Sequence, residues 1–274
     1  MKVKEIPVSL FHQIRLSSKS KGSLKRNKKR VPVIVSLASI PSRLDVVHLT
    51  IRSILDQDVL PEKIFLWLHE DLRTKIPKKL SSLIGDIFEI KYTKYSSSHR
   101  KLVEPLKLFP KKIIITCDDD MMYPKDWLPK LHESHLKNPN CVVANQTRCI
   151  SYSESGDLLS YNQWLSKSKS CKNPWATLPI GAGGTLYPPG VMNEQVFDQQ
   201  LFLRLAPKAD DLWFKAMTLL TETLSKQAKS SKKEPIPILG SQKTSLKKTN
   251  IKEDKNRTQW LALTDYFQLK LQKY

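Results

Sequence analysis

Residues 112–120 constrain the fold of this chain most strongly, because an apolar run ends there in three consecutive carboxylates. Three isoleucines and a threonine in a row favour extended structure and predict a strand buried on both faces of a parallel sheet. Asp118, Asp119 and Asp120 then fall at the carboxyl end of that strand. Because open α/β sheets bind their ligands at this edge, the sequence predicts a functional site there.

The three carboxylates form a candidate cation site. In an extended chain the side chains at i and i+2 point the same way, so Asp118 and Asp120 can bind one ion together. A divalent metal would relieve the repulsion among adjacent negative charges, and Mg²⁺ or Mn²⁺ in such sites also binds substrate phosphates. The sequence therefore predicts a phosphate-bearing substrate. The alternative interpretation is a solvated acidic turn that caps the next helix.

Strands and helices alternate on both sides of this segment. Short apolar runs predict further strands at residues 31–38, 63–68, 88–93 and 141–144. Apolar residues at helical spacing predict helices from 45 onward and at 77–83, 100–109, 124–136, 195–205, 209–224 and 258–271. This alternation, with short connections, predicts an α/β fold: a mostly parallel, Rossmann-like sheet flanked by helices in three layers. Residues 150–193 show little periodicity, which is typical of a functional loop region.

The net charge of +20 is concentrated at the flanks of the 274-residue chain. Residues 1–30 carry ten Lys or Arg against one Glu, and residues 225–257 carry ten against three acids. We therefore divide the chain into a basic leader (1–30), an α/β domain (31–224), a basic mobile linker (225–257) and a C-terminal helix (258–274). Lys-rich stretches with few aromatics favour an anionic membrane surface over nucleic acid, and solvated tails are the alternative.

The cysteines and the apolar segments bear on location. Cys117, Cys141, Cys149 and Cys171 show no Cys-x-x-Cys spacing, which argues against zinc and favours a reduced, cytoplasmic compartment. The N-terminus lacks the apolar core of a signal peptide, and no segment is long and apolar enough to cross a bilayer. We expect a cytoplasmic protein that lies on the inner face of a membrane.

A second acidic pair and a glycine cluster are further candidates. Asp210 and Asp211 open a predicted helix, where they act either as a helix cap or as a base that takes a proton from an acceptor hydroxyl. Trp213, two residues on, either stacks on a sugar ring or belongs to the core. Gly183 and Gly184 either allow close backbone approach to a sugar or form a plain turn. The chain has no P-loop, and no Gly-x-Gly-x-x-Gly follows the first strand.

Four motifs in this order resemble a known family. They are Ser36-Leu37 with Pro41-Ser42-Arg43, then Ser98-His99-Arg100-Lys101-Leu102, then Asp118-Asp119-Asp120 with Tyr123-Pro124, then Asp210-Asp211-x-Trp213. This order is similar to that of bacterial GT-A-fold glycosyltransferases of family 2, which act in surface-polysaccharide pathways. The resemblance covers residues 31–224, with a weaker echo at 250–267.

The resemblance implies a metal-dependent, inverting glycosyltransferase that moves a sugar from a nucleotide-diphosphate sugar to a glycan or lipid-linked acceptor. Ser36 and Arg43 would hold the nucleotide, Lys101 would approach the diphosphate, and Asp119 would contact the donor beside the Mn²⁺ or Mg²⁺ ligands Asp118 and Asp120. The catalytic base would be Asp211 or its neighbour Asp210. The match is incomplete, because Ser97-Ser98 stand where relatives often have Gly-Pro.

Two other functions remain open at this point. A sugar nucleotidyltransferase also uses clustered aspartates on an α/β sheet, but it normally has a Gly-rich loop after its first strand, and residues 39–43 contain no glycine. A basic nucleic-acid-binding protein would use both basic flanks, but it leaves the three carboxylates unexplained. No nucleic-acid partner is expected.

Overall fold

The structure, a computed structural model, describes residues 5–25, 28–166, 171, 173–228, 234–241, 254–269 and 271. Its strands are β1 (Arg30–Ala38), β2 (Leu60–His69), β3 (Phe88–Thr93), β4 (Ile113–Thr116), β5 (Met121–Met122), β6 (Val142–Ala144), β7 (Thr147–Cys149), β8 (Leu165–Ser166), β9 (Thr177–Pro179), β10 (Thr185–Tyr187), β11 (Ser225–Gln227) and β12 (Ile236–Pro237). Its α-helices are α1 (Ile6–Ser18), α2 (Lys21–Lys25), α3 (Val47–Leu55), α4 (Lys78–Ser81), α5 (Arg100–Leu108), α6 (Trp127–Lys137), α7 (Gln199–Leu205), α8 (Asp210–Leu220) and α9 (Lys255–Phe267).

Within these residues the central sheet has seven strands, in the order β11-β6-β10-β4-β1-β2-β3. β1 pairs in parallel with both β2 and β4, β2 pairs in parallel with β3, and β11 pairs in parallel with β6. Only β10 runs the other way, antiparallel to both β4 and β6. The predicted mostly parallel α/β sheet is therefore confirmed.

Helices cover both faces of the sheet. Alternate residues of β1 point to opposite sides: Val33, Val35 and Leu37 pack in one core with α3, α4 and α6, whereas Ile34 packs in the other with α5, α7, α8 and α9. A parallel sheet that is apolar on both faces needs such cover, so the three predicted layers are also confirmed.

The leader and the linker contain elements that the charge pattern does not predict. Ile6–Ser18 and Lys21–Lys25 are helical, Ser225–Gln227 joins the central sheet, and Ile236–Pro237 pairs antiparallel with β5. The C-terminal helix begins at Lys255, three residues before the predicted start. The rest of the predicted leader and linker, residues 1–4, 26–27, 229–233 and 242–253, lies outside the described residues, as do 270 and 272–274 of the predicted C-terminal helix.

The cysteines depart from the expectation of reduced thiols. Cys149, in β7, forms a disulfide with Cys171. Cys117 is a buried free thiol, and Cys141 is a half-buried one. No helix in the described part of the chain has the length and apolar character needed to cross a bilayer.

Candidate active site

The site forms where β1 and β4 end side by side. In their parallel register Ser36 of β1 lies beside Thr116 of β4, and the Cys117 amide donates to the Ser36 carbonyl across 3.2 Å. Both strands end here, so the chain after β4 runs beside the turn after β1. The Ser39 hydroxyl in that turn donates to Asp119 Oδ2 across 2.5 Å. The acidic segment thus lies at the edge of the sheet predicted from the sequence.

Arg43 binds two of the three carboxylates. It ends the 3₁₀ turn Pro41–Arg43, and its guanidinium lies 2.5 Å from Asp119 Oδ1 and 3.0 Å from Asp120 Oδ2. Burial raises the pKa of Asp119 despite the opposing effects of Arg43 and Ser39. Arg43 therefore orders the acidic segment.

Lys101 joins the two acidic clusters. It lies in the first turn of α5 with a nearly buried side chain, and its Nζ is 2.9 Å from Asp118 Oδ1 and 2.8 Å from Asp210 Oδ2. Asp210, in the first turn of α8, also accepts a hydrogen bond from the Ser98 hydroxyl at 2.9 Å. Ser98 and Lys101 of the second motif thus contact acids of both the third and the fourth motif. About ninety residues separate these two acidic clusters in the sequence.

Gly181 closes this centre from the opposite side. Its amide donates to Asp211 Oδ2 across 3.0 Å. A Cβ added at Gly181 would lie 2.8 Å from Asp211 Oδ1 and 2.9 Å from Lys101 Nζ, distances that real Cβ atoms do not tolerate. A larger residue here would force the Asp211 carboxylate and the Lys101 ammonium to shift, so glycine lets the backbone approach both charged groups.

The pKa values of Asp210 and Asp211 are shifted in opposite directions. Burial raises the pKa of Asp211 to about 7, and the neighbouring Asp210 charge adds to the effect. Burial acts on Asp210 as well, but the Lys101 ammonium and the Ser98 hydrogen bond hold the pKa of Asp210 below its ordinary value. Burial also tends to lower the pKa of Lys101, yet the surrounding carboxylates raise it well above the ordinary range. Asp211 is therefore the aspartate suited to exchange a proton near neutral pH.

Four predicted site residues have other roles in the structure. Ser36 is fully buried and its hydroxyl accepts from Trp67 Nε1, so that side chain cannot reach a donor. Trp213 is fully buried against Phe202 and cannot stack on a sugar. Gly183 and Gly184 provide room for neighbouring side chains: a Cβ at Gly183 would collide with Gln146, and Gly184, at φ +89°, packs against the indole of Trp127. We correct the assignments of Ser36 and Trp213 accordingly, and the approach of a sugar to Gly183 and Gly184 stays a prediction.

The acidic residues were predicted to bind a divalent metal ion. The described residues contain no group of three or more His, Cys, Asp or Glu side chains that could hold one. Asp118 and Asp120 are oxygen ligands, and the Asp118 side chain keeps 34% of its exposure. Five carboxylates meet the two cations Arg43 and Lys101 here, so the described cluster carries excess negative charge. Two carboxylates alone do not complete the coordination of a hard divalent cation, so any ion here would also need substrate oxygens.

Two recesses border the site. A cavity of about 520 Å³ lies between the segments that follow β1, β2 and β3. Residues on both sides of Arg43 line it, together with His69, Asp71, Leu72 and Ser96. A smaller recess of about 90 Å³ is lined by Asp210 and Asp211 together with Tyr161, Lys208 and Asn256.

Sequence reasoning did not identify Ser39, Ser98 or Gly181 as site residues. The signals were present but weak. Ser39 and Ser98 stand inside two of the four motifs, and Gly181 begins the glycine cluster whose later members were chosen instead. The sequence alone does not reveal which side chains approach a small residue in a loop.

No family model matches the chain, and no curated protein matches it. Solved structures match at low identity. One is 4-diphosphocytidyl-2C-methyl-D-erythritol synthase from Anaerococcus prevotii, at 11% identity and TM-score 0.47, over 87% of this chain and 98% of that one. HddC from Yersinia pseudotuberculosis matches at 13% identity and TM-score 0.43, over 85% and 98%. CMP:2-keto-3-deoxy-manno-octonic acid synthetase, complexed with CTP, matches at 11% identity and TM-score 0.42, over 73% and 89%.

These structures correct the function predicted from the sequence. Two of them are named as a synthase of a diphosphocytidyl compound and as a synthetase of a CMP compound, and neither is named as a glycosyltransferase. The prediction of glycosyl transfer is therefore wrong, and the resemblance to family 2 is not confirmed. The motifs misled because a strand-end acid cluster and a facing lysine suit several kinds of nucleotide-binding α/β enzyme. Similarities this low transfer no residue roles, so an activity has to follow from the site itself.

Proposed function

We propose that this chain is a sugar nucleotidyltransferase, which joins a nucleotide from a nucleoside triphosphate to a sugar derivative and releases pyrophosphate. The observation that carries the proposal is that Arg43 and Lys101 both bind the acidic segment that follows β4, while Pro41 and Leu44 on either side of Arg43 line a cavity of about 520 Å³. Ligand pockets of drug-sized molecules span about 300–1,000 Å³, so a nucleoside fits this volume.

The cavity and the charged cluster suit different parts of one nucleotide. Pro41 and Leu44, which flank Arg43, line the cavity and offer apolar surface to a base or ribose. The phosphates would then extend past Arg43 toward Lys101. Arg43 and Lys101 would add their charges to that of a bound divalent cation, and together these charges would stabilise the negative charge that develops on the leaving pyrophosphate.

Asp211 supplies the proton chemistry of the second substrate. A hydroxyl or phosphate oxygen of the sugar derivative attacks the α-phosphorus, a new P–O bond forms, and the bond between the α-phosphorus and the bridging oxygen breaks. Pyrophosphate leaves with that oxygen. A carboxylate with a pKa of about 7 takes the proton of the attacking group readily at neutral pH.

Asp118 and Asp120 would hold Mg²⁺ or Mn²⁺ together with phosphate oxygens of the nucleotide. When bound, such an ion neutralises phosphate charge, which the acid-rich cluster described above cannot do by itself. Asp119 has a different role, since its contacts with Ser39 and Arg43 keep the segment in place.

A substrate panel tests the proposal. The five common nucleoside triphosphates would each be combined with sugar 1-phosphates and with free sugar acids in the presence of Mg²⁺, and pyrophosphate release would be measured. We expect release that requires both substrates and falls by about a hundredfold or more in Asp118→Asn. Asp157→Asn, in a distant exposed turn, is the matched control and should keep full activity.

Two results would contradict the proposal. One is the absence of pyrophosphate with every pair of substrates. The other is release of a nucleoside diphosphate from a nucleotide sugar in the same assay, because that product requires cleavage at the sugar and not at the α-phosphorus.

A further inference from the structure

The outer face of helix α1 is apolar and exposed. Five large apolar side chains retain between 38% and 62% of their accessible surface there: Ile6, Val8, Leu10, Phe11 and Ile14. The opposite face is buried through Ser9 and Leu16. At 3.6 residues per turn, Ile6, Leu10 and Ile14 form one stripe, and Phe11 lies beside it. No charged residue interrupts positions 6–14.

The helix is held firmly with this face outward. Arg15 and Lys19 both bind the nearly buried Asp56, at 2.7 Å and 2.6 Å. The Ser9 hydroxyl donates to the Pro237 carbonyl at 2.7 Å. Leu16 packs in a small cluster with Leu49, Met122 and Ile238. These contacts use the inner face alone, so the apolar stripe has no intramolecular cover among the described residues.

The contact between Ser9 and Pro237 also joins the two basic stretches of the sequence. Ser9 belongs to residues 1–30 and Pro237 to residues 225–257, and these two stretches of the sequence together carry most of the net charge of +20. An exposed apolar helix face on a strongly cationic protein complements a surface with anionic headgroups and an apolar interior beneath them. That surface is an anionic phospholipid bilayer.

We propose that the outer face of α1 docks the protein on the surface of an anionic bilayer, with the helix in the plane of the interface. A helix of this size is about 20 Å long, enough to bury the stripe among the lipid headgroups without spanning the membrane. Net positive charge adds long-range attraction to that insertion. A protein partner suits the face less well, because its five large exposed side chains are all apolar, whereas protein interfaces also pair polar groups.

Docking would place the candidate active site beside the membrane. Met122, which packs against α1 through Leu16, follows Asp120 by two residues. The docked helix thus packs against β5, which directly follows the three carboxylates. This inference concerns location and does not depend on the reaction proposed above.

Vesicle sedimentation tests the proposal. The full chain would be mixed with vesicles of phosphatidylcholine alone and with vesicles containing phosphatidylglycerol at about one lipid in three. We expect binding to the anionic vesicles only, weakened at high salt. Phe11→Ser combined with Ile14→Ser should lower the partition coefficient by about tenfold or more, since both side chains would leave the lipid. Leu136→Ser is the matched control: Leu136 is 65% exposed on α6, and its loss should change nothing.

Three outcomes would overturn the proposal. The wild type could fail to bind anionic vesicles, or the double variant could bind as well as the wild type. In light scattering, a wild-type dimer that the double variant converts to a monomer would show that a second copy covers this face. Because Phe11 and Ile14 are exposed, the double variant should keep the far-UV circular dichroism of the wild type, which separates lost docking from lost folding.

Discussion

At the scale of single residues, Lys101 is the group on which the candidate site depends. Among the described residues it is the cation that touches both acidic clusters. Asp118 lies 17 residues away in the sequence, whereas Asp210 belongs to the much later helix α8. The sequence predicts that Lys101 is functional from its motif alone. It does not predict the contact with Asp210, because pairing between elements depends on how α5 and α8 pack on the same face of the sheet.

Lys101→Met should damage both activity and stability. Removing one partner of a nearly buried ion pair leaves Asp210 and Asp118 without their cation, and we expect a loss of about 3 kcal/mol in the free energy of unfolding. Pyrophosphate release should fall by about a hundredfold or more. Urea titration and the activity assay measure the two effects. Lys107→Met, on the exposed side of the same helix, should change stability by less than about 0.5 kcal/mol, and an equal effect of both variants would refute this role of Lys101.

The raised pKa of Asp211 makes the stability of the protein depend on pH in a definite direction. The pKa of Asp211 is raised to about 7 in the folded protein, so between about pH 4 and pH 7 the folded state binds more protons than the unfolded one. Its contribution therefore lowers stability as the pH rises through this window and is constant above it. Asp211→Asn cannot ionise and so does not lose this stability. In paired urea titrations, the free energy of unfolding of the variant minus that of the wild type should therefore increase between pH 5 and pH 8. A difference that stays constant with pH would contradict the shift.

Activity should follow the same group. The wild-type rate should rise with pH through about 7 as Asp211 ionises, and Asp211→Asn should reduce kcat by about a hundredfold or more and lose that rise. A pH–rate profile on both proteins measures this. If Asp211→Asn kept the pH–rate profile of the wild type, a group other than Asp211 would carry the proton transfer.

At the scale of elements, the long and regular ones follow from the sequence and the short ones do not. β1, β3 and α5 lie close to the predicted ranges, since each shows a continuous or periodic apolar pattern. β10 was missed because three residues are too few to show a pattern, and its pairing with β4 and β6 is stabilised by distant segments. α1 was missed because its apolar face is directed outward and the surrounding charge is typical of a solvated tail.

The turn Gly181–Gly183 sets how closely β10 and α8 approach. Gly181→Ala should push Asp211 away from Lys101, because the new Cβ would sit within 3 Å of both side chains. We expect kcat to fall by about tenfold or more while the protein stays folded. Gly22→Ala in α2 is the control, since its Cβ meets nothing closer than 4.0 Å and alanine favours the helix. Equal activity in the two variants would show that the turn is not part of the site.

Helix α9 supports the start of α8 from the other side. Trp260 and Leu263 are fully buried in the shared core, and Gln259 Oε1 accepts the Lys208 amide two residues before Asp210. Trp260→Ala should cost about 3–5 kcal/mol through the cavity that it leaves. Leu261→Ala, at a position 39% exposed, should cost far less. Thermal unfolding of the pair measures the difference, and similar melting temperatures would mean that α9 is not docked on the core.

At the scale of the whole molecule, the sequence predicts the fold class but not the reaction. Alternating strands and helices lead to the three-layer sheet, because burial on both faces allows few other arrangements. The reaction was predicted wrongly because glycosyl and nucleotidyl transfer place similar charges at the same edge of the same kind of sheet. They differ in which bond to the phosphate or sugar breaks, and the residue types do not record that difference.

The measurement that tests the central claim most directly follows the phosphorus atoms of the nucleotide. The nucleoside triphosphate selected by the substrate panel would be labelled at the α-phosphate in one reaction and at the γ-phosphate in another. If the site performs nucleotidyl transfer, the α label enters the sugar product and the γ label appears in pyrophosphate, in equal amounts. An α label that stays in free nucleotide, with no labelled sugar product in the presence of any acceptor tested, would contradict the account.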